Sequence, residues 1–566
     1  MRDTITTLRF SAGRTRQGPL TWGQLAILRE LDWLADEAHS YNESVTVDIP
    51  PGTGLAAVLD SVRLLTQAHD GLRTTIERPG GGEEPAEPRQ RVHASGEIRV
   101  RIVEGTQESA GSPDARHNFD AQREFPVRWT VYCRDGVPHQ LLAVISHFTI
   151  DGTALRAFRE ELVEHLLARR DSGRSRGPAW HPLDQAEWER AEGAASSRAA
   201  VERWLSLIDE APRQMFNARY PSTGAEDFHC FEMRSAAAAV ALERISRRLN
   251  VSVSTIIVAL TAVTVARLSG NRRVLFKVVV GNRTDERARN HIAPLVQDGV
   301  VSLDTRGSFA EVIRRAWPAS LRTYSRSRYH PGELESALAE YAALRGTDGD
   351  PRVALNDARF DSAWTRLPEP EDDTRFRALR ESTTISHQFS QERVDVKFFV
   401  EVSGADDCLS MSLLTDATYI PSELIPDILR GMEELLLEEA SGSPVPDREA
   451  TPRWGIPVLA RGPEWEQVEG NWIRPAALRA LLASIPGVRR AELLDPSAER
   501  TAQGLRCRLV VDDTFDLDEP ALKRFVADAA RAHEDVLVPE TFEIAVCGGY
   551  ARRQYDANSR SPSSAR

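Results

Sequence analysis

Lysine is almost missing from this chain of 566 residues: Lys277, Lys397 and Lys523 are the only three. Arginine therefore supplies nearly all the positive charge, and few positions remain for a catalytic lysine. Cysteine is also sparse. Cys133, Cys230, Cys408, Cys507 and Cys547 are scattered and odd in number, and no pair has metal-ligand spacing. They exclude a disulfide framework and predict reduced, structural thiols in a cytoplasm, with no metal site. No run approaches the ~20 apolar residues that a membrane-spanning helix needs, and the opening MRDTITTLRFSAGRTRQG lacks the apolar core of a signal peptide. An excess of positive charge is lacking as well. A net charge of −13 argues against a nucleic-acid partner and against an anionic membrane, since either needs a basic face. A local basic patch is still compatible with it.

What is present is alternation of strand-like and helix-like segments. Thr4–Ser11, Ser44–Ile49, Ile98–Val103, Arg128–Cys133 and Gln140–His147 have strand patterning, and Trp22–Ala38, Gly54–His69 and Gly152 to about Ala168 have helical spacing. This order predicts an α/β fold with helices packed on a sheet. Residues 171–180 (DSGRSRGPAW) read as a linker. Beyond it the pattern predicts one long helix over Pro182–Ile208, a strand over His229–Arg234, an apolar helix over Ser254–Leu268 and a buried strand over Val274–Val280. Helices near Phe309–Tyr324 and Gly332–Leu344, an antiparallel pair Asp395–Val402 with Leu409–Leu414, and a helix from Pro421 to about Glu439 follow. Residues 440–453 form a second linker, and a short α/β unit and a polar tail come after it.

The segment richest in chemistry is LLAVISHFTIDGTAL, Leu141 to Leu155. His147 stands at the end of an apolar strand, with Asp151 and Gly152 four and five residues on, where a helix begins. A strand end fixes an imidazole for acid–base work, the Asp holds the turn, and the Gly permits close backbone approach. On spacing alone, a lone His after a strand is more often structural than catalytic.

The same residues resemble the motif H-H-x-x-x-D-G of the condensation domains of nonribosomal peptide synthetases, in the chloramphenicol acetyltransferase-like superfamily. This chain reads Ser146-His147-Phe148-Thr149-Ile150-Asp151-Gly152, with Ser146 in place of the first His. Further segments resemble that family in order: Leu20-Thr21-Trp22-Gly23-Gln24, Gly71-Leu72-Arg73-Thr74-Thr75, His181-Pro182-Leu183-Asp184 with Trp188 and Trp204, Gly281-Asn282-Arg283, and Asp416-Ala417-Thr418-Tyr419. The resemblance covers about residues 1–445. It implies two chloramphenicol acetyltransferase-like halves in a V-shaped pseudo-dimer, residues 1–175 and 176–445. His147, Asp151 and Gly152 are then the catalytic set, with Ser146 and Arg283 as structural support, and Asp151 is expected to pair with Arg283. The alternative for Arg283 is a surface arginine in a charged loop. The resemblance also implies an acyl group delivered on the phosphopantetheine arm of a separate carrier protein, as substrate and not as a bound cofactor. The acceptor would be a small molecule or a second carrier-bound group. Because this chain and such carriers are both acidic, docking is expected to use a local patch of Arg or apolar residues.

Residues 454–557 resemble the small C-terminal subdomain of adenylation domains: Gly470-Asn471-Trp472-Ile473-Arg474, Pro486-Gly487-Val488 and Val538-Pro539-Glu540-Thr541-Phe542 stand at matching places. Where that family has its catalytic Lys this chain has Tyr550, and no phosphate-binding loop is visible, so the unit is expected not to adenylate. Residues 558–566 read as a disordered tail. The reading is thus a free-standing condensation enzyme forming an amide or ester bond. A non-catalytic module that recruits partner proteins and a coenzyme A-dependent acyltransferase are the alternatives.

Overall fold

The computed structural model describes residues 3–555 apart from 79–86, 106–112, 168–179, 223, 225, 289–290, 348, 361–372, 406–407, 443–454, 469, 495–504 and 548–552. Most of the two linkers, the position of Tyr550 and the tail lie outside the described residues.

The first half is built on a five-stranded mixed sheet in the order Asp3–Ser11, Ser95–Glu104, Val127–Arg134, Val137–Ser146, Asn42–Asp48. Alternation of buried residues along these strands leaves one face for the helices Leu55–Ala68 and Gly152–Leu167. Their apolar faces (Val58, Val62 and Leu65; Phe158, Leu162 and Leu166) share a core with Val100, Trp129, Val131, Leu141 and Ile145. Burial of these side chains, at roughly 1.5–3 kcal/mol each, fixes the strand that ends at Ser146.

The second half contains a seven-stranded sheet in the order Gln297–Asp304, Arg273–Val280, Val353–Asp357, Phe398–Ala405, Cys408–Asp416, Phe228–Ser235, Thr384–Gln391. Helices Ala236–Leu249, Val253–Ser269, Phe309–Tyr324 and Ile425–Ala440 contribute to its core. Val253–Ser269 is apolar nearly all round and correspondingly buried. Among the described residues no single helix is long and apolar enough to cross a membrane, and the apolar pair Ala236–Leu249 with Val253–Ser269 bends by 108°.

Two predicted helices differ in instructive ways. The stretch Pro182–Ile208 is two helices, Pro182–Glu192 and Ala194–Glu210. At the junction the Trp22 ring lies against Gly193, where any Cβ would collide with it. The first helix, predicted over Trp22–Ala38, stops at Leu34; Ala35 takes a left-handed φ of 51° and the chain continues as a 3-10 helix to Tyr41.

The halves meet through close contacts. A Cβ at Gly23 would collide with the Pro294 carbonyl and lie 3.1 Å from Leu295 Cα, so this helix packs directly on backbone of the second half. Arg393 stacks on Trp33 at 4.0 Å, and Arg29 pairs with Glu335 at 3.1 Å.

The C-terminal unit has a four-stranded sheet in the order Val488–Leu494, Arg506–Val511, Thr541–Val546, Arg553–Tyr555, with helices Pro475–Ala483 and Glu519–Arg531 over its own core. It is seated on the second half. Trp472 Nε1 donates to Ser269 O at 3.0 Å, and Asn217 Nδ2 donates to Trp472 O at 2.7 Å. Glu534 accepts from Lys397 Nζ at 3.1 Å and from Tyr419 Oη at 2.7 Å.

Candidate active site

The strand Val137–Ser146 runs buried between two neighbours and delivers a tight turn at its end. Thr149 N–H donates to Ser146 O at 2.9 Å and Ile150 N–H to His147 O at 3.3 Å. Phe148 is buried with Leu20, Trp22, Leu25 and Ile76, while Ile150 is buried in the core of the first half. Those two anchors hold His147, which is half-buried. Its Nδ1 lies 2.6 Å from the Ile150 carbonyl oxygen. A carbonyl only accepts, so Nδ1 carries the hydrogen and Nε2 of the neutral ring keeps its lone pair.

Asp151 is fully buried and its side chain does not contact the imidazole through any hydrogen bond among the described residues. Oδ1 accepts from Arg283 Nη2 at 2.7 Å and from Ala154 N–H at 2.8 Å, and Oδ2 accepts from Leu295 N–H at 2.8 Å. Asp151 therefore caps the helix Gly152–Leu167 with one oxygen and ties the second half to the first with both. Arg283 in turn donates to the carbonyls of Ala288, His291 and Ala293 at 2.7, 2.8 and 2.8 Å. One guanidinium thus organises the loop that carries Leu295 back to Asp151. Gly152 opens the helix with an ordinary φ; its importance here is position, as a first-turn N–H without an intrahelical acceptor. Ser146 is buried and engages the turn through its backbone, donating to Pro126 O at 2.9 Å and accepting from Thr149.

The segments that flank the motif converge on the same place. Thr149 Oγ1 donates to Gly71 O at 2.7 Å, and a Cβ at Gly71 would lie 2.9 Å from Ile292 O. Arg73 and Asp70 form a buried ion pair, and Arg16 reaches Asp184 at 2.6 Å. His291 is fully buried with neither ring nitrogen hydrogen-bonded among the described residues; burial, then the Arg283 charge, pushes it down to about 3, so it stays neutral.

Two features were not anticipated from the sequence. Tyr41 lies with its ring 5.8 Å from that of His147. The antiparallel register that pairs Asn42 with Ser146 is what brings it there, and pairing SVTVDI with LLAVIS would have shown it. Burial, then the Glu30 and Asp298 carboxylates, pushes the Tyr41 phenol up, so it is neutral. The second is a charged group near enough to act on the Tyr41 phenol. Lys277 Nζ is 2.9 Å from Asp350 and 3.8 Å from Asp298, and burial pushes Glu30 up to about 7. Among the described residues there is no cluster of His, Cys, Asp and Glu suited to a metal.

Two α/β halves, tied together by Asp151 just beyond a strand-end histidine, have the chloramphenicol acetyltransferase-like fold. The condensation domain family model matches residues 20–347, and the chain belongs to that family. It is 26% identical over 346 residues, 56% of its length, to an isonitrile lipopeptide synthase of Mycobacterium tuberculosis. It is 25% identical over 332 residues, 54% of its length, to a probable non-canonical nonribosomal peptide synthetase, CymA, of Salinispora arenicola. The match spans only 13% and 4% of those relatives. Among solved structures, the condensation domain of the monacolin K polyketide synthase MokA superposes with a TM-score of 0.60 at 13% identity, covering 77% of this chain and all of that one.

Proposed function

We propose that this protein joins an acyl group, presented as a thioester on a carrier protein, to an amine or hydroxyl acceptor, forming an amide or an ester. The observation that carries the reading is the fixed tautomer of His147, which leaves Nε2 as a proton acceptor at the end of a rigid strand. The acceptor's nucleophilic atom attacks the thioester carbonyl carbon and gives its proton to Nε2. The C–S bond then breaks, and the departing sulfur takes the proton to leave as a thiol. The Gly152 N–H, at a helix start, is assigned to the developing oxyanion. Holding both reactants in line supplies much of the rate, because aminolysis of a thioester is already downhill. Asp151 and Arg283 hold the turn and touch no reacting atom.

The phosphopantetheine arm is substrate in this scheme, and no resident cofactor or metal takes part. The test offers one acyl group on a carrier protein, on coenzyme A and on a pantetheine mimic. The carrier-bound form is expected to win by a wide kcat/KM margin. Equal use of all three would favour a coenzyme A-dependent enzyme. Ser146 in place of the family's first histidine favours a second reading, a non-catalytic partner-recruiting module; turnover with none of the three donors would support it.

A further inference from the structure

The segment His291–Leu295 of the second half is sunk into the first. Ile292 is buried in the first half's core with Val62, Leu72 and Phe158. Its carbonyl oxygen lies 2.9 Å from where a Cβ at Gly71 would stand, so the short turn Asp70–Arg73 runs hard against it. Pro182 Cγ is 3.7 Å from the same point, which brings the start of the helix Pro182–Glu192 to this seam. Each of the three elements carries a histidine there: His69 just before the turn, His181 just before Pro182 and His291 just before Ile292.

These imidazoles are poorly satisfied. His69 Nε2 donates to Glu161 at 2.7 Å, but its Nδ1 is buried without a hydrogen bond. His181 Nδ1 is also buried without one, 3.7 Å from Asp70 Oδ1. His291 has neither nitrogen bonded among the described residues. The carboxylates that face the group are already engaged. Asp70 pairs with Arg73 and lies 3.8 Å from Arg16, while Asp184 meets Arg16 at 2.6 Å. Glu161 serves His69 and lies 3.8 Å from His165, and Asp151 is held by Arg283. Arg283 also donates to the His291 carbonyl at 2.8 Å, so the fixed charge beside this ring is positive. The seam therefore has no place for a proton on His291. Burial lowers the proton affinity of His181 too, with Asp70 and Asp184 opposing it less. Exposed imidazoles take up a proton near 6.5. Below that pH, each histidine that must stay neutral in the closed seam favours release by about tenfold per unit.

We propose that His291, with His181 beside the same turn, is a proton-operated release for the segment His291–Leu295. Mild acid frees the segment from the first half, and Asp151 loses the Leu295 N–H that it accepts at 2.8 Å. The two halves then part at the candidate site while the rest of each stays folded. Return to neutral pH restores the contact. The device does not depend on which acyl donor the protein uses.

The experiment follows amide hydrogen exchange of the full chain by mass spectrometry between about pH 7.5 and pH 5, with each rate divided by the intrinsic rate at that pH. It compares the unsubstituted chain with H291L, whose side chain does not titrate. Glu30 and Glu189, each pushed up to about 7 by burial, titrate in the opposite sense, so the ratio of the two chains is the quantity read. Protection of Leu295, relative to H291L, is expected to fall about tenfold per pH unit below about 6.5. The buried helix Val253–Ser269 is expected to keep its protection throughout. A second variant, H181L, should show a shallower difference of the same sign. A ratio that stays constant with pH overturns the proposal, and so does equal loss of protection in Val253–Ser269, which would mark unfolding of the whole chain. H291F, which keeps a ring, replaces H291L if that variant does not fold. If neither folds, the unsubstituted chain decides: Leu295 protection undiminished at pH 5 overturns the proposal.

Discussion

Asp151 and Arg283 meet at 2.7 Å, 132 positions apart in sequence, and each is almost wholly withdrawn from water. Their pairing is one of the polar links between the two halves, because the first-half carboxylate also takes the Leu295 N–H of the second half. Removing one partner leaves the other charged and buried. Asp151→Asn and Arg283→Met are each expected to cost about 3–5 kcal/mol in urea unfolding. Losses below about 1 kcal/mol would show that the pair does not hold the halves together.

His147 has a lighter structural duty, with one hydrogen bond made by its side chain. His147→Ala is expected to lower turnover about a hundredfold or more, with the thermal midpoint unmoved. Tyr41→Phe should retain activity, since the ring packs on His147 while the neutral hydroxyl has no hydrogen bond among the described residues. Near-normal turnover by His147→Ala would assign catalysis elsewhere.

Glu189 is buried beneath Trp22, accepting from its N–H at 2.8 Å and from Gln185 Nε2 at 2.7 Å. Burial pushes its carboxyl up to about 7, well above the 4.5 of an exposed glutamate. Between those values the folded chain keeps a proton that the unfolded chain has lost. Stability from this group is therefore complete below about 4.5 and declines as pH rises to about 7, by up to about 3 kcal/mol. The unfolding midpoint of the unsubstituted chain relative to that of Glu189→Gln, which does not titrate, should fall from pH 5 to pH 8. Parallel profiles would contradict it.

The C-terminal unit is tied down by Lys397, whose Nζ reaches Glu534 and the Phe216 carbonyl. Lys397→Met is expected to cost about 1–3 kcal/mol and to speed proteolysis between the unit and the second half. Independently, the chain is expected to show no ATP–pyrophosphate exchange with any amino acid; we propose this on the resemblance of residues 454–557 to an adenylation subdomain, which sets Tyr550 at the position of that family's lysine.

Much of this architecture is legible in the sequence where one physical signal dominates. The apolar run Leu141–Ile145 ending in Ser-His, and the amphipathic Phe309–Tyr324, give their elements directly. Others are hidden because tertiary packing overrides local pattern. The strand Gln297–Asp304 contains Gly299 and two acids and looks like a turn; Gly299 is required there because a Cβ would collide with the Thr323 side chain. The helix Ala236–Leu249 begins in an alanine run without apolar periodicity, and its Ser235 cap, which accepts from Ala238 N–H, is the signal that marks it. At the site, the motif gives His147, Asp151 and Gly152 by local order. Tyr41 and the Lys277 group depend on strand register and on the meeting of two halves, which no local window contains.

The cap on the helix Gly152–Leu167 has a further consequence for how the protein is made. Arg283 leaves the ribosome 132 residues after Asp151. At roughly 5–20 residues per second, that is a delay on the order of ten seconds. Throughout it the first half exists with its key carboxylate lacking the cation that compensates its burial. In a nascent first half the Phe148 and Ile150 anchors of His147 are already present, whereas Asp151 lacks its Arg283 and Leu295 donors until the second half has emerged. Emergence of the loop from Arg283 to Leu295, and not folding of the first half alone, is the event that satisfies the buried carboxylate.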